Sequence, residues 1–116
     1  MTETSSELVS QQCSNLAGAC PALNDDEVSA LLQQLQPPWQ LDQQQKSISH
    51  DFRFKNYYQT MAFVNVIAQI AHQQDHHPDL LVSYNRCSVT YSTHSVGGLS
   101  MNDFICAAKI NAAQHL

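Results

Sequence analysis

Basic residues are scarce in this chain. Only five of the 116 residues are Lys or Arg, against ten Asp and Glu, and the formal net charge is −5 at pH 7. Proteins that bind nucleic acid through its phosphates need a clustered positive surface. We therefore expect no nucleic-acid partner for this chain.

Long hydrophobic runs are also missing. No apolar run approaches the roughly 20 residues that cross a bilayer, and no signal peptide is recognisable at the start. Hydrophobic residues still make up 43% of the chain and recur with regular periods, which indicates a globular domain. We expect a cytoplasmic protein of one domain with no membrane partner.

Cysteine and glycine are few, with four and three residues respectively. A domain of this size does not need covalent staples, so the four cysteines are not expected to form a disulfide framework. Cys13 and Cys20 lack the second pair that a zinc knuckle requires, while Cys87 and Cys106 lie in apolar patterns typical of a core. The sequence also contains no glycine-rich phosphate-binding loop and no recognisable nucleophile motif.

Three amphipathic segments predict helices. The first covers about residues 24–36 and ends at a proline pair, the second covers residues 57–76, and the third begins at Ser100 with a capping box. Residues 1–22 are rich in Ser, Thr, Gln and Ala without a period, and they are predicted to form a flexible tail. Residues 23–116 are then the folded domain.

Alternating apolar residues predict strands at residues 48–54, 80–84 and 87–93, and Trp39 starts a further extended segment. The predicted order is therefore α-β-β-α-β-β-α. This order is typical of an α+β fold, a two-layer sandwich in which a four-stranded antiparallel sheet carries three helices on one face.

Four of the six histidines lie between residues 72 and 94. His72 and His76 are four residues apart at the end of a predicted helix, which would stack them on one helix face. Pro78 cannot continue that helix and biases His77 towards an extended conformation. The cluster is therefore predicted to occupy a helix C-terminus, where the helix dipole favours cations.

The hairpin after this cluster is predicted to bring a further histidine back to it. Its two predicted strands are joined at Asn85-Arg86, a turn-prone pair. Paired residues of an antiparallel ladder have a constant index sum, so position 94 would lie opposite about position 77. We therefore predict that His94 meets His76 and His77 in a three-histidine pocket.

Three interpretations of this pocket are open from the residues alone. Two imidazoles with pKa values near 6.5 can supply one acid and one base at neutral pH. Alternatively, three histidines can hold a zinc ion. The run from His72 to His76 is one substitution from the H-E-x-x-H zinc motif, but Gln73 replaces the Glu that acts as general base. The third interpretation is that the histidines are merely solvated.

The spacing of the cluster is similar to the motif of the pterin-4a-carbinolamine dehydratases, and the similarity covers about residues 24–116. The matching motif is His72-x3-His76-His77-Pro78-x5-Tyr84-x9-His94-x8-Asp103. Further matches are Ser92-Thr93-His94, Gly98-Leu99-Ser100, Phe52-x-Phe54-Lys55 and Trp39.

The resemblance implies a hydro-lyase that removes water from 4a-hydroxytetrahydropterin and gives quinonoid dihydropterin during cofactor recycling. It assigns His76 and His94 as the acid–base pair and adds His77 to the catalytic set as a substrate-binding residue. The other residues that it places around the pterin are Asp75, Ser92, Thr93, Ser95 and Trp39. It implies no metal and no organic cofactor.

The resemblance also implies a homodimer or homotetramer, with phenylalanine hydroxylase as a possible partner. A non-catalytic role as a stabilising partner of another protein is the alternative, since animal relatives stabilise a transcription factor. Two departures concern His72 and Ser95, where many relatives carry acidic residues. Tyr84 is expected in the core, and Asp103 is expected to be the capping-box partner of Ser100 rather than a catalytic group.

Overall fold

The computed structural model describes residues 8–14 and 20–114. The helices are α1 (Asp25–Leu32), α2 (Tyr57–Gln74) and α3 (Met101–Ala113). The strands are β1 (Gln40–Asp42), β2 (Ser47–Arg53), β3 (Asp79–Ser83) and β4 (Arg86–Tyr91). This order confirms the predicted α+β fold.

The four strands form one antiparallel sheet in the order β1-β2-β4-β3. Burial in β4 alternates, because successive side chains point to opposite faces of a sheet. Its inward residues, Cys87, Val89 and Tyr91, pack in one core with Phe104 and Ile110 of α3. The core therefore lies between a single face of the sheet and the helices.

The start of α1 is closed by a capping box. Asn24 Oδ1 accepts a hydrogen bond from Glu27 N–H at 2.8 Å, and Glu27 Oε1 accepts one from Asn24 N–H at 2.9 Å. The α-helix ends at Leu32, earlier than predicted. Beyond it, the main-chain N–H of Leu35 donates to the carbonyl group three residues earlier and not four, namely Leu32 O.

The hairpin turn lies one residue earlier than predicted. Ser83 pairs with Arg86, so that the turn residues are Tyr84 and Asn85. The expectation that Tyr84 lies in the core is wrong, because a turn position carries its side chain outward and leaves it 63% exposed. Its ring stacks on that of Tyr57 with the centroids 6.3 Å apart.

Part of the predicted flexible tail is packed against the domain. Leu8 is only 1% exposed and belongs to the core, where its apolar side chain is removed from water. Ser14 N–H donates to Asn102 Oδ1 at 3.0 Å. The structure of residues 8–14 thus differs from the prediction, while residues 1–7 and 15–19 lie outside the described residues.

Within the two described ranges, every helix is too short or too polar to span a bilayer.

Candidate active site

The end of α2 directs His76 into the protein. Asp75 adopts a left-handed conformation with φ 50° and ψ 43°, and its N–H is bonded to the carbonyl groups of Ala71 and His72. The helix therefore ends before His76, which is 9% exposed, whereas His72 is exposed on α2. The predicted stacking of His72 and His76 on one helix face is wrong for this reason.

His76 is held by a buried carboxylate and by an aromatic ring. Its Nε2 lies 2.7 Å from Oδ1 of Asp103, a residue of α3 that is fully buried. The imidazole stacks on Tyr91 of β4 with the centroids 5.2 Å apart and an interplanar angle of 15°. The Tyr91 hydroxyl donates to the carbonyl oxygen of His76 at 3.2 Å. Both the ring and the main chain of His76 are thus positioned.

The electrostatic surroundings favour the protonated form of His76. Burial lowers the pKa of His76, but the hydrogen bond and the negative charge of Asp103 raise it by more, and the net shift is upward. A proton on Nε2 is directed at Asp103. The second ring nitrogen, Nδ1, is therefore the one that can serve a substrate.

The second oxygen of Asp103 binds the segment that follows β4. Its Oδ2 accepts hydrogen bonds from Thr93 Oγ1 at 2.8 Å and from Ser100 N–H at 3.0 Å. The predicted capping contact with Ser100 is confirmed. The contact between Asp103 and His76 was missed, although the motif with which the sequence was compared itself ends at Asp103. One carboxylate thus joins His76 to Thr93, the neighbour of His94.

His94 is carried by a short turn and not by a strand. The ladder of β4 ends at Tyr91, and a single 3₁₀ turn covers His94–Val96. The predicted pairing of position 94 with position 77 is wrong, because the hairpin turn is shifted and β4 stops too early. His94 is exposed, and its Nε2 lies 3.1 Å from Ser92 Oγ.

The remaining predicted site residues fall into two groups. Asp75, His77 and Ser95 are exposed and lie next in the chain to His76 or His94. Trp39, in contrast, is 5% exposed, and its Nε1 donates to Asn111 Oδ1 at 2.8 Å. Asn111 lies eight residues beyond Asp103 in α3, which is about 12 Å along a helix axis. The described contacts of Trp39 therefore lie in another part of the core.

Among residues 8–14 and 20–114, no group of three or more His, Cys, Asp and Glu residues is arranged to hold a metal ion.

Comparison with protein families matches residues 21–113 to a family described as pterin 4 alpha carbinolamine dehydratase. A relative from Nitrosomonas eutropha is 53% identical over 105 residues, which cover 90% of this chain and 91% of the relative. A relative from Legionella pneumophila (strain Corby) is 49% identical over 106 residues, which cover 91% and 94%. Both are provisionally named pterin-4-alpha-carbinolamine dehydratase.

Two solved structures are also similar. A protein from Brucella melitensis, described as a transcriptional coactivator/pterin dehydratase, has a TM-score of 0.74 and 34% identity, covering 78% of this chain and 96% of that one. A pterin dehydratase-like protein described as a RuBisCO assembly factor of the alpha-carboxysome has a TM-score of 0.57 and 21% identity, covering 66% and 88%. The second likeness concerns the fold alone.

Proposed function

Because the chain belongs to the pterin-4a-carbinolamine dehydratase family, we propose that it removes water from 4a-hydroxytetrahydropterin to give quinonoid dihydropterin. The observation that carries this proposal is the buried contact between His76 and Asp103, with the segment of His94 bound to the same carboxylate. Loss of water needs a proton for the departing C4a hydroxyl and a base for the proton on N5.

His76 is proposed as the general acid. The charge of Asp103 helps to keep the imidazole protonated, and Nδ1–H can donate to the C4a hydroxyl as the C–O bond breaks. Asp103 accepts a hydrogen bond from His76 Nε2 throughout the reaction and stabilises the cationic imidazole. We therefore assign Asp103 as a positioning residue. General acid assistance of this kind typically contributes about 10²–10⁴-fold in rate.

His94 is proposed as the general base that takes the proton from N5. Its exposed ring is oriented by Ser92 at one nitrogen, so that an incoming pterin can reach the other. His77 is proposed to bind the substrate. The further residues proposed to flank the pterin are Asp75, Ser92, Thr93 and Ser95. The substrate is the product of a pterin-dependent hydroxylase such as phenylalanine hydroxylase, which places the reaction in cofactor recycling.

A stopped-flow dehydration assay on 4a-hydroxytetrahydropterin tests this assignment. His76→Ala and His94→Ala should each lower kcat by about 10²–10⁴-fold, and the double variant should be slower than either. His72→Ala is the matched control, because His72 is exposed on α2 and should keep wild-type activity. Full activity of the double variant would remove the assignment.

A zinc-dependent reaction is the competing mechanism for the same histidines. Dialysis of the wild-type protein against a strong chelator should leave its activity and Tm unchanged. Loss of activity that added zinc restores would favour the metal mechanism, because a zinc enzyme loses its activated water with the ion.

A role as a partner of another protein is the second candidate, since the similar Brucella melitensis structure is described as both a coactivator and a dehydratase. The two candidates separate in the same assay. A folded wild-type protein without dehydratase activity would favour the binding role.

A further inference from the structure

Two thiol groups contact each other close to the His76 site. Cys13 Sγ and Cys106 Sγ lie 3.5 Å apart, although 93 residues separate them in the sequence. Neither forms a disulfide, and both are free thiols. Cys106 is fully buried in α3, while Cys13 is partly exposed. An S–S bond is about 2.05 Å long, so the two sulfurs need to approach by only about 1.5 Å.

Cys13 is held in this position by contacts on both sides. Its N–H donates to Gln74 Oε1 at 2.8 Å, at the last residue of α2. The next residue, Ser14, exchanges two hydrogen bonds with the Asn102 side chain of α3, at 3.0 and 2.8 Å. Lys109 Nζ also donates to Val9 O. The approach of the two sulfurs is therefore built into the packing of residues 8–14, a segment outside the matched family region.

The surroundings of Cys106 support the thiolate. A hydrogen bond from Cys13 lowers the pKa of Cys106, and it is assisted by the Tyr91 hydroxyl and by the charge of His76; together these outweigh burial and the charge of Asp103. The same contact with Cys106 raises the pKa of Cys13, as does burial. The contact between the two sulfurs therefore favours the thiolate on Cys106 over the thiolate on Cys13. A buried cysteine whose thiolate is favoured, next to a partly exposed cysteine, suits the two halves of a disulfide-forming reaction.

We propose that Cys13 and Cys106 form a reversible redox site, in which a peroxide converts the pair to a disulfide that ties the N-terminal segment to α3. In the first step Cys13, the accessible partner, passes its proton to the Cys106 thiolate, and the Cys13 sulfur attacks hydrogen peroxide. The O–O bond breaks, Cys13 becomes a sulfenic acid, and the released hydroxide takes the proton back from Cys106 and leaves as the first water. In the second step the Cys106 thiolate attacks that sulfur, the S–S bond forms, and the hydroxyl leaves as a second water after taking up a proton. Two thiols are oxidised and one peroxide is reduced.

The disulfide would restrain both chain segments that position His76. Cys106 lies three residues after Asp103. The main-chain N–H of Cys13 donates a hydrogen bond to the side chain of Gln74, which directly precedes Asp75 and His76 in the chain. The closed loop would contain most of the chain, which makes its effect on the unfolded state large. We expect the oxidised protein to have a Tm about 5–15 °C above that of the reduced protein. A dithiol reductant should reverse the change by attacking the S–S bond.

The test uses the full chain, treated with hydrogen peroxide and digested without reduction. The expected product is a peptide pair joined through Cys13 and Cys106, lighter than its two free thiol peptides by two hydrogen atoms, that dithiothreitol separates. Cys13→Ser should abolish this product and the rise in Tm. Cys87→Ala is the matched control, because Cys87 is a buried cysteine on β4 and should leave both unchanged.

Cys20 provides the critical comparison, since its Sγ lies 3.3 Å from Asn102 Oδ1, near the same pair. Cys20→Ser should still form the disulfide between Cys13 and Cys106. A disulfide between Cys13 and Cys20, a disulfide between two chains, or a sulfinic acid on Cys13 beside reduced Cys106 would each overturn the proposal. These readouts do not involve dehydration, so the redox site and the proposed activity can fail separately.

Discussion

A single buried carboxylate connects the parts of the candidate site. Asp103 uses Oδ1 for His76 and Oδ2 for Thr93 and for the main chain of Ser100. Hydrogen bonds to an ionised carboxylate are roughly twice as strong as neutral ones. Burial makes their loss costly, because a carboxylate without donors is poorly solvated in the protein. The charge of Asp103, and not only its shape, is therefore expected to matter.

Asp103→Asn tests that expectation. The variant keeps the size of the side chain and an oxygen for Ser100 N–H but removes the charge, so the pKa of His76 should fall. If His76 is the general acid, kcat at neutral pH should drop about 10–100-fold, and the decline of activity with rising pH should begin at a lower pH. The pH profile of kcat and an NMR titration of His76 measure both effects. An unchanged pH profile would limit Asp103 to a structural role.

The pH dependence of stability provides an independent test. The pKa of His76 is raised above its ordinary value of 6.5 in the folded state. Because this pKa is raised, the charged pair of His76 and Asp103 stabilises the fold fully below about pH 6.5. The contribution is lost as the pH rises through the pKa of His76 in the folded protein. The difference in free energy of unfolding between wild type and His76→Gln should therefore be larger near pH 6 than near pH 9.

Urea denaturation of both proteins at the two pH values measures this difference. His50, whose pKa is lowered mainly by burial, contributes the opposite slope, but it is present in both proteins and cancels. The control is His72→Gln, a change at an exposed position. Equal differences at both pH values would show that His76 gains no charge-dependent stabilisation from Asp103.

At the scale of elements, the two ends of α2 are fixed by different means. Asn56 Oδ1 accepts a hydrogen bond from Gln59 N–H at 2.9 Å. The single hydroxyl proton of Thr60 is shared between Asn56 O and Tyr84 O, each 2.9 Å from Oγ1, which attaches this end to the hairpin. At the other end, Asp75 takes the left-handed conformation from which His76 leaves the helix. The position of His76 therefore depends on where α2 begins and ends.

Asn56→Ala should destabilise the protein by about 1 kcal/mol, because one main-chain N–H of the first turn loses its acceptor. Asn56→Asp should restore most of this stability, since a carboxylate accepts the same bond and is favoured by the helix dipole. Urea unfolding of the three proteins gives the comparison. If the alanine variant were as stable as wild type, the cap would contribute nothing.

At the scale of the whole molecule, β3 is an edge strand with all five residues exposed. Large apolar side chains are exposed in the same region, namely Leu80, Leu81, Val82, Tyr84, Tyr57 and Tyr58. Val89 and Tyr91 of the neighbouring strand are buried instead, because their face of β4 meets the helices. An open apolar edge favours pairing with another chain. We propose that a second copy covers it.

The assembly prediction is a mass at least twice the 13.0 kDa of one chain, measured by light scattering at micromolar concentration. Leu81 is 62% exposed, and Leu81→Lys should shift the protein towards the single-chain mass. Gln73→Lys adds the same charge at an exposed position of α2 and should leave the mass unchanged. A wild-type mass of 13.0 kDa would exclude the proposed dimer and tetramer.

Local patterns determined the elements of this protein. The caps at Asn24 and Ser100 and the alternation through β4 depend on residues close in sequence, so their effect can be predicted without the fold. The order of elements follows from them. The histidine motif similarly marks the segments of His76 and His94 as the candidate site, because a motif records spacing along the chain.

Only the tertiary structure decided which residues far apart in the sequence contact each other. Asp and Asn tolerate the left-handed conformation at moderate cost, so the reversal at Asp75 has no strong signal in the sequence. The hairpin turn was predicted one residue late because adjacent positions have similar turn propensities. The contacts of His76 with Asp103 and of Cys13 with Cys106 join residues that are 27 and 93 positions apart. Such contacts exist because the helices pack on one face of the sheet, and packing depends on the whole chain at once.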